Sequence, residues 1–312
     1  MGEIMRILFT GASSFTGYWF VRELSRAGHS VTALFQRHPE EYVQQSRQRV
    51  EQLMPHCSPI YGSSFGDERF LAAVEGQPHW DLFCHHAAYC EGYKRPDFDY
   101  CGALSRNCHN LERLLALLAE RGCRRIALTG SLFEGGEGLG EAPRLAFSPY
   151  GLSKELTARV FAYFAPRSGL QLAKFVIPNP FGPLEESRFT SYLAREWLHH
   201  RIPVINSPDY VRDNIHVGLL ARCYRHFVEG DLTHLSPSGY VMRQGDFAKV
   251  FSQQMEGRLG LPCPLQMAEQ SHFDEPRVRI GRDFCGGAPF GWDEKRAWDQ
   301  LADYYLEAFA GV

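Results

Sequence analysis

Apolar and polar positions along the first half of the chain switch repeatedly between a strand-like and a helix-like period. Residues 4–10 form a short, mostly apolar run of the kind that a parallel strand covered on both faces requires. The run leads into Gly11-Ala-Ser-Ser-Phe-Thr-Gly17. Residues 18–27 then take helical spacing, Gly28 closes the helix, and residues 29–35 read as a second strand. The alternation continues with helical material over 39–53, a strand near 58–61, a helix over 67–74 and a strand over 80–86. A long helix over 97–119, a strand over 124–129, a helix over 149–164 and a strand over 172–177 complete it. Such a sequence of elements predicts an α/β fold with a doubly wound parallel (Rossmann) sheet. After Pro178 prolines recur and the elements shorten, as in a smaller, loop-rich lobe. The expected division is a dinucleotide-binding domain over 1–178 and a C-terminal α/β substrate lobe over 179–312, with some chain crossing back. Residues 135–140 read as a flexible glycine loop suited to an active-site flap. Residues 294–308 read as a last helix anchored by Trp292 and Trp298.

Two motifs carry chemistry. Tyr150 and Lys154, four apart on one helix, share a face. An ammonium beside a phenol stabilises the phenolate and brings it into a useful range for proton transfer at neutral pH. The hydroxyl of Ser131 is placed to hold a substrate oxygen beside that phenol. The group suits hydride transfer at a carbonyl or alcohol carbon beside a nicotinamide. The second motif is the strand–glycine turn–helix at the N-terminus, where Gly11 permits the tight turn and Gly17 close helix packing. The backbone N–H groups at the helix start would take a pyrophosphate. Ser14 stands where such a turn has its middle glycine.

Composition removes several alternatives. With 312 residues, 44% hydrophobic and 22% charged, the chain is an ordinary globular one with a sizeable core. A net charge of −3 without basic runs argues against nucleic acid as a partner. No stretch reaches the apolar length of a membrane span, and a strand that begins so early leaves no room for a signal peptide. The 9 cysteines have no C-x-x-C spacing, which suits reduced thiols in a cytoplasmic protein. Cys84, Cys90, Cys101 and Cys108 are read as apolar fillers, and His85-His86 as no metal site, because neighbours on a strand face opposite ways.

On these motifs the chain resembles the extended short-chain dehydrogenase/reductase family, in its NAD-dependent epimerase/dehydratase branch, which acts largely on nucleotide sugars. Residues 10–17 correspond to the family's glycine motif, so the resemblance assigns Gly11, Ser13, Ser14, Phe15, Thr16 and Gly17 to the cofactor. His86, Ala87 and Ala88 match the segment beneath the nicotinamide ribose, and Asn107 a structural asparagine. Tyr150 and Lys154 match the catalytic pair, with Lys154 also on the ribose. Ser131 matches the catalytic hydroxyl, with Thr129 as the alternative. Residues 178–183 resemble the turn whose Asn, here Asn179, contacts substrate. Residues 211–217 resemble the segment whose Arg, here Arg212, meets the diphosphate. The alternative is an ion pair between Arg212 and Asp213.

Departures narrow the reading. Leu132 and Phe133 follow Ser131 where a 4,6-dehydratase has acids, with Glu134 one position further on. Gln36 and Arg37 follow the second strand where an NAD site has a carboxylate, which favours NADP(H) over NAD(H). The sequence therefore points to an NADP(H)-dependent enzyme acting on a nucleotide-activated sugar. A 4-keto reductase stands slightly ahead of an epimerase. A reductase of a non-sugar ketone and a non-catalytic cofactor sensor are the further alternatives. No metal is implied. A homodimer is expected, paired through helices 97–119 and 149–164, with Leu111, Leu114, Leu115 and Leu118 as the apolar stripe.

Overall fold

The computed structural model describes residues 3–309. The chain divides into two compact units, one of residues 1–137, 144–177 and 224–235, the other of residues 138–143, 178–223 and 236–312. Two segments thus cross the boundary that the sequence places at 178.

The first unit is a seven-stranded parallel sheet. Its elements in chain order are β1 (Arg6–Thr10), α1 (Phe15–Arg26), β2 (Ser30–Leu34), α2 (Gln44–Leu53), β3 (Ser58–Ile60), α3 (Glu68–Glu75), β4 (Leu82–His85), α4 (Tyr100–Asn107), α5 (Leu111–Glu120), β5 (Arg125–Ser131) and α6 (Pro149–Phe164). Strands Gln171–Ile177 and His234–Leu235 complete the sheet. The spatial order is His234–Leu235, Gln171–Ile177, β5, β4, β1, β2, β3, so the chain runs outward in both directions from a central β1. Every pairing is parallel, with Phe9 opposite both Ala33 and Cys84. Helices cover both faces of such a sheet, which is why Ile7, Leu8 and Phe9 in succession are fully buried.

The predicted long helix over 97–119 is two helices. Asn110 adopts a left-handed backbone (φ 50°), and its side-chain amide donates to the Gly66 carbonyl at 2.8 Å. That tertiary bond holds the break between α4 and α5 although the apolar spacing runs through it. Leu111, Leu114, Leu115 and Leu118 all lie in the unit's own core with Phe70, Phe83 and Phe161. The stripe is therefore occupied internally and gives no argument for a dimer. α1 starts at Phe15, earlier than the spacing predicts, because Ser14 caps it and accepts from the Gly17 N–H.

The second unit holds a five-stranded mixed sheet. Val211–His216 lies at its centre, parallel to Asn179–Phe181 and Val278–Ile280 and antiparallel to Tyr240–Arg243. The glycine loop is not free. Its Leu139–Gly140 pairs as an edge strand with Arg279 and Ile280. Helices Phe189–Leu198, Gln244–Leu259 and Glu294–Phe309 close a core around Phe181, Trp197, Phe251 and Trp298. All nine cysteines are free thiols. Cys90 and Cys101 are exposed, so neither fills the core as expected. Among the described residues no helix is long and apolar enough to cross a membrane.

Candidate active site

The glycine turn sits where β1 hands over to α1. Gly11 takes φ +82°, and a Cβ there would lie 2.8 Å from the Ala87 amide nitrogen. Thr10 Oγ1 accepts from the His86 and Ala87 N–H groups at 3.2 Å each, which locks the start of the turn to the end of β4. Ser14 takes a helix-capping conformation rather than a glycine one (φ −73°). Its hydroxyl folds back, donating to the Gly11 carbonyl at 2.8 Å and accepting from the Gly17 N–H at 3.1 Å. The turn is thus closed and capped, with no acidic side chain in its first helical turn to repel an anion. The Arg49 guanidinium, missed in the sequence, donates to the Ser13 carbonyl at 2.9 Å and braces the turn from α2.

At the end of β4 the two histidines part. His85 stacks on Phe161 with centroids 4.9 Å apart and bonds Thr10 Oγ1 at 3.0 Å. Burial, and then the charge of Lys154, keeps its pKa well below the ordinary histidine value. His86 turns to the opposite face, against Phe9 and Phe20. There it faces the hydroxyls of Ser14, Thr16 and Thr129. Its side chain is therefore packed against the glycine turn and the end of β5.

α6 begins with Ser148 capping the Gly151 N–H and Pro149 in the first turn, so Tyr150 stands at the helix start. Gly151 is a close-approach position that the sequence reading overlooked. A Cβ there would come within 2.1 Å of the Phe133 carbonyl, so only glycine lets α6 approach the end of β5 so closely. Tyr150 lies among the rings of Tyr93, Phe98 and Phe133, at centroid distances of 5.3, 5.9 and 6.2 Å. Lys154, one turn on, is buried and donates from Nζ to the Thr129 carbonyl at 2.6 Å. Burial lowers its pKa, and the Glu134 carboxylate offsets part of that. Asn107 joins α4 to this helix, donating to Thr157 Oγ1 and accepting from the Tyr89 N–H.

The two hydroxyls at the end of β5 differ. Thr129 is buried and its Oγ1 faces His86 Nδ1 at 3.1 Å. Ser131 is only partly buried, and its Oγ accepts from the Phe133 N–H at 3.2 Å. Glu134, fully buried, turns inward: Oε1 accepts from the Ser131 N–H at 2.8 Å and Oε2 from Lys174 Nζ at 2.5 Å. Lys174 also donates to Glu137 at 2.7 Å, and Glu137 pairs with His234 at 3.0 Å. Sequence reasoning missed this cluster. Its signal was a lone lysine within the apolar strand Gln171–Ile177, which cannot be buried there without partners.

In the second unit Asn179 lies beside Asn214 in the sheet register. Arg212 does not pair with Asp213. Its guanidinium donates to the carbonyls of Val211, Pro276 and Arg277 and to Glu275 at 3.0 Å, and it lies 4.1 Å over the Tyr210 ring. Burial lowers its pKa, Glu275 opposing. Asp213 is buried and accepts from the Gly239 and Gly281 N–H groups at 2.7 Å each, a brace for the sheet. Arg37 is exposed in the loop after β2.

The structure is similar throughout its length to solved sugar-nucleotide enzymes. A UDP-glucose 4-epimerase from Thermotoga maritima, solved with UDP-glucose, superposes with a TM-score of 0.73 at 19% identity, covering 97% of this chain and 99% of that one. A UDP-glucuronic acid 4-epimerase from Bacillus cereus, in complex with NAD, gives 0.74 at 14% identity with the same coverage. The dTDP-glucose 4,6-dehydratase DesIV from Streptomyces venezuelae, with NAD and TYD bound, gives 0.68 at 16% identity and 97% of each chain. No curated protein sequence matches this chain. At these identities the structural likeness establishes the fold. The family model for the NAD dependent epimerase/dehydratase family matches residues 7–236, well over half of the chain. With the glycine turn, the Tyr150–Lys154 helix and the parallel sheet in place, the protein belongs to that family and is one of its enzymes.

Proposed function

We propose that the protein is an NAD-dependent nucleotide-sugar epimerase. The observation that carries this is the Lys154 ammonium, buried on the Thr129 carbonyl one helical turn from Tyr150, with Ser131 at the end of the neighbouring strand. The dinucleotide, when bound, supplies the hydride acceptor and donor. The turn from Gly11 to Gly17 with the Ala87 backbone would hold it, and Lys154 its ribose. Tyr150 takes the proton of a sugar hydroxyl as the carbon is oxidised and returns it after the keto sugar has turned over. Lys154 keeps the phenol's conjugate base favourable by its charge. Ser131, the more accessible hydroxyl, orients the substrate oxygen, while Thr129 is engaged with His86.

Two further points support an epimerase over its relatives. Glu134 is committed to Lys174 and the Ser131 N–H, so it is not available as the acid that water elimination needs. The sequence preference for a reductase rested on the absent dehydratase acids and on Arg37 as a sign of NADP(H), and is set aside. The family is described as NAD dependent, and the neighbouring structures solved with a dinucleotide hold NAD. Asn179 and Arg212 are proposed as substrate contacts. Arg212 would reach a diphosphate by exchanging it for Glu275. A homodimer is proposed on the family resemblance, and a monomer by light scattering at micromolar concentration would refute it.

The test is product analysis. Purified protein with NAD⁺ should convert one of a panel of UDP- and dTDP-sugars to its epimer without net reduction of the dinucleotide. Stoichiometric consumption of NADPH with a keto sugar would replace the epimerase by the reductase.

A further inference from the structure

His86 ends up behind the glycine turn because alternation at the end of β4 sends it to the face opposite His85. Its Nε2 lies 3.1 Å from Ser14 Oγ and 3.1 Å from Thr16 Oγ1, and its Nδ1 lies 3.1 Å from Thr129 Oγ1. Ser14 decides which nitrogen holds the proton. A serine has one hydroxyl proton, and that of Ser14 goes to the Gly11 carbonyl. Ser14 can therefore only accept from His86, so Nε2 is the N–H and Nδ1 accepts from Thr129. Burial, then the nearby Lys154 charge, pulls the His86 pKa down to about 3, so the ring stays neutral and keeps this tautomer at working pH. Thr129 carries the connection onward, since its own carbonyl receives the Lys154 ammonium.

We propose that His86 is a positioning residue, a strut that pins Ser14 inward at the turn before α1. The proposal rests on the reading of that turn as the dinucleotide seat. In such a turn the middle glycine lets the backbone approach the pyrophosphate. Ser14 puts a side chain at that position, and it must be kept off the ligand side. Three partners do so: the Gly11 carbonyl, the Gly17 N–H and the His86 N–H. Ser14 and His86 are thus a matched pair, in which a histidine behind the turn compensates for the serine in front of it.

A double-mutant cycle tests the pairing. NADH is titrated by fluorescence into wild type, His86→Leu, Ser14→Gly and the double variant. His86→Leu should weaken binding about ten-fold or more, and Ser14→Gly by no more than about three-fold. The double variant should bind within about three-fold of Ser14→Gly, because no side chain is left to pin. His86→Gln, which keeps an N–H donor, should bind close to wild type and covers the case in which the leucine variant does not fold. Independently of any variant, ¹⁵N NMR of the wild-type imidazole should show the proton on Nε2. Equal losses from His86→Leu in both backgrounds, no loss in either, or an Nδ1–H tautomer would overturn the inference. Failure of the wild type to bind NADH would instead remove the dinucleotide seat itself, and with it the function proposed above.

Discussion

Removing Glu134 should destabilise the first unit more than any other single carboxylate change there, and the contacts set the scale. Glu134 is fully buried, and its two oxygens hold the Ser131 N–H and the Lys174 ammonium. Breaking a buried pair by deleting one partner costs about 3–5 kcal/mol, since the other charge is left uncompensated. Lys174 retains Glu137, so the lower end applies. Stranding the Ser131 N–H adds about 1–3 kcal/mol. Glu134→Ala should therefore cost roughly 4–6 kcal/mol, a large share of the 5–15 kcal/mol typical of a folded protein. Glu134→Gln keeps an acceptor for Ser131 but turns an amide N–H towards the Lys174 ammonium, so it should cost about 3 kcal/mol. Urea unfolding of the three proteins reads both values. The same change has a functional signature, because the Glu134 carboxylate supports the charge of Lys154. In the glutamine variant Lys154 should lose its proton at a lower pH, and activity should decline earlier on the alkaline limb. Costs below about 1 kcal/mol for both variants, with an unmoved pH profile, would refute the role of the cluster.

Other expectations follow from the same contacts. Glu137, held down to about 2 by His234 and Lys174 against the opposing effect of burial, stabilises the fold when ionised. That contribution is complete above its ordinary value of 4.5 and lost as pH falls towards 2. It amounts to at most about 3 kcal/mol, and roughly 1–2 after allowance for solvent at its edge; an acid unfolding curve unchanged in Glu137→Gln would contradict it. Glu185 has the opposite sign, since burial raises it to about 7 against the hydroxyls of Tyr305 and Thr190. The stability it gives when protonated should fall as pH rises from about 4.5 through 7, so Glu185→Gln should melt higher than wild type at pH 8. NAD⁺ should bind at least as tightly as NADP⁺, and Arg37→Ala should leave NAD⁺ affinity unchanged; a calorimetric preference for NADP⁺ that the substitution abolishes would restore the sequence reading. Glu275→Gln should tighten nucleotide-sugar binding by freeing Arg212, and Arg212→Ala should weaken it by roughly 2–5 kcal/mol if the phosphate contact is desolvated. Equal affinities in all three would remove Arg212 from the substrate site.

What the sequence made legible is what a local period or a fixed spacing can encode. The central strands are unbroken apolar runs because both sheet faces are covered, so β1, β4 and the strand Gln171–Ile177 could be read within a few residues. Tyr150 and Lys154 needed only the helical repeat, and the parting of His85 and His86 only the strand repeat. The break at Asn110 was hidden because its cause is a bond to Gly66, in another part of the chain. Glu134, Glu137 and His234 gather on Lys174 from distant positions, and no single-chain pattern links them. The contact of Ser14 with His86 spans residues beyond α3, so the serine alone reads only as a departure from glycine.

Tyr150 bears the central claim, and its hydroxyl can be removed without other change. Turnover of the identified nucleotide sugar should be measured in wild type and Tyr150→Phe, with NAD⁺ affinity measured on the same samples. The expected result is a loss of turnover of about 10²–10⁴-fold, the usual contribution of a general acid–base group, at unchanged NAD⁺ affinity. Full turnover in Tyr150→Phe would contradict the mechanism.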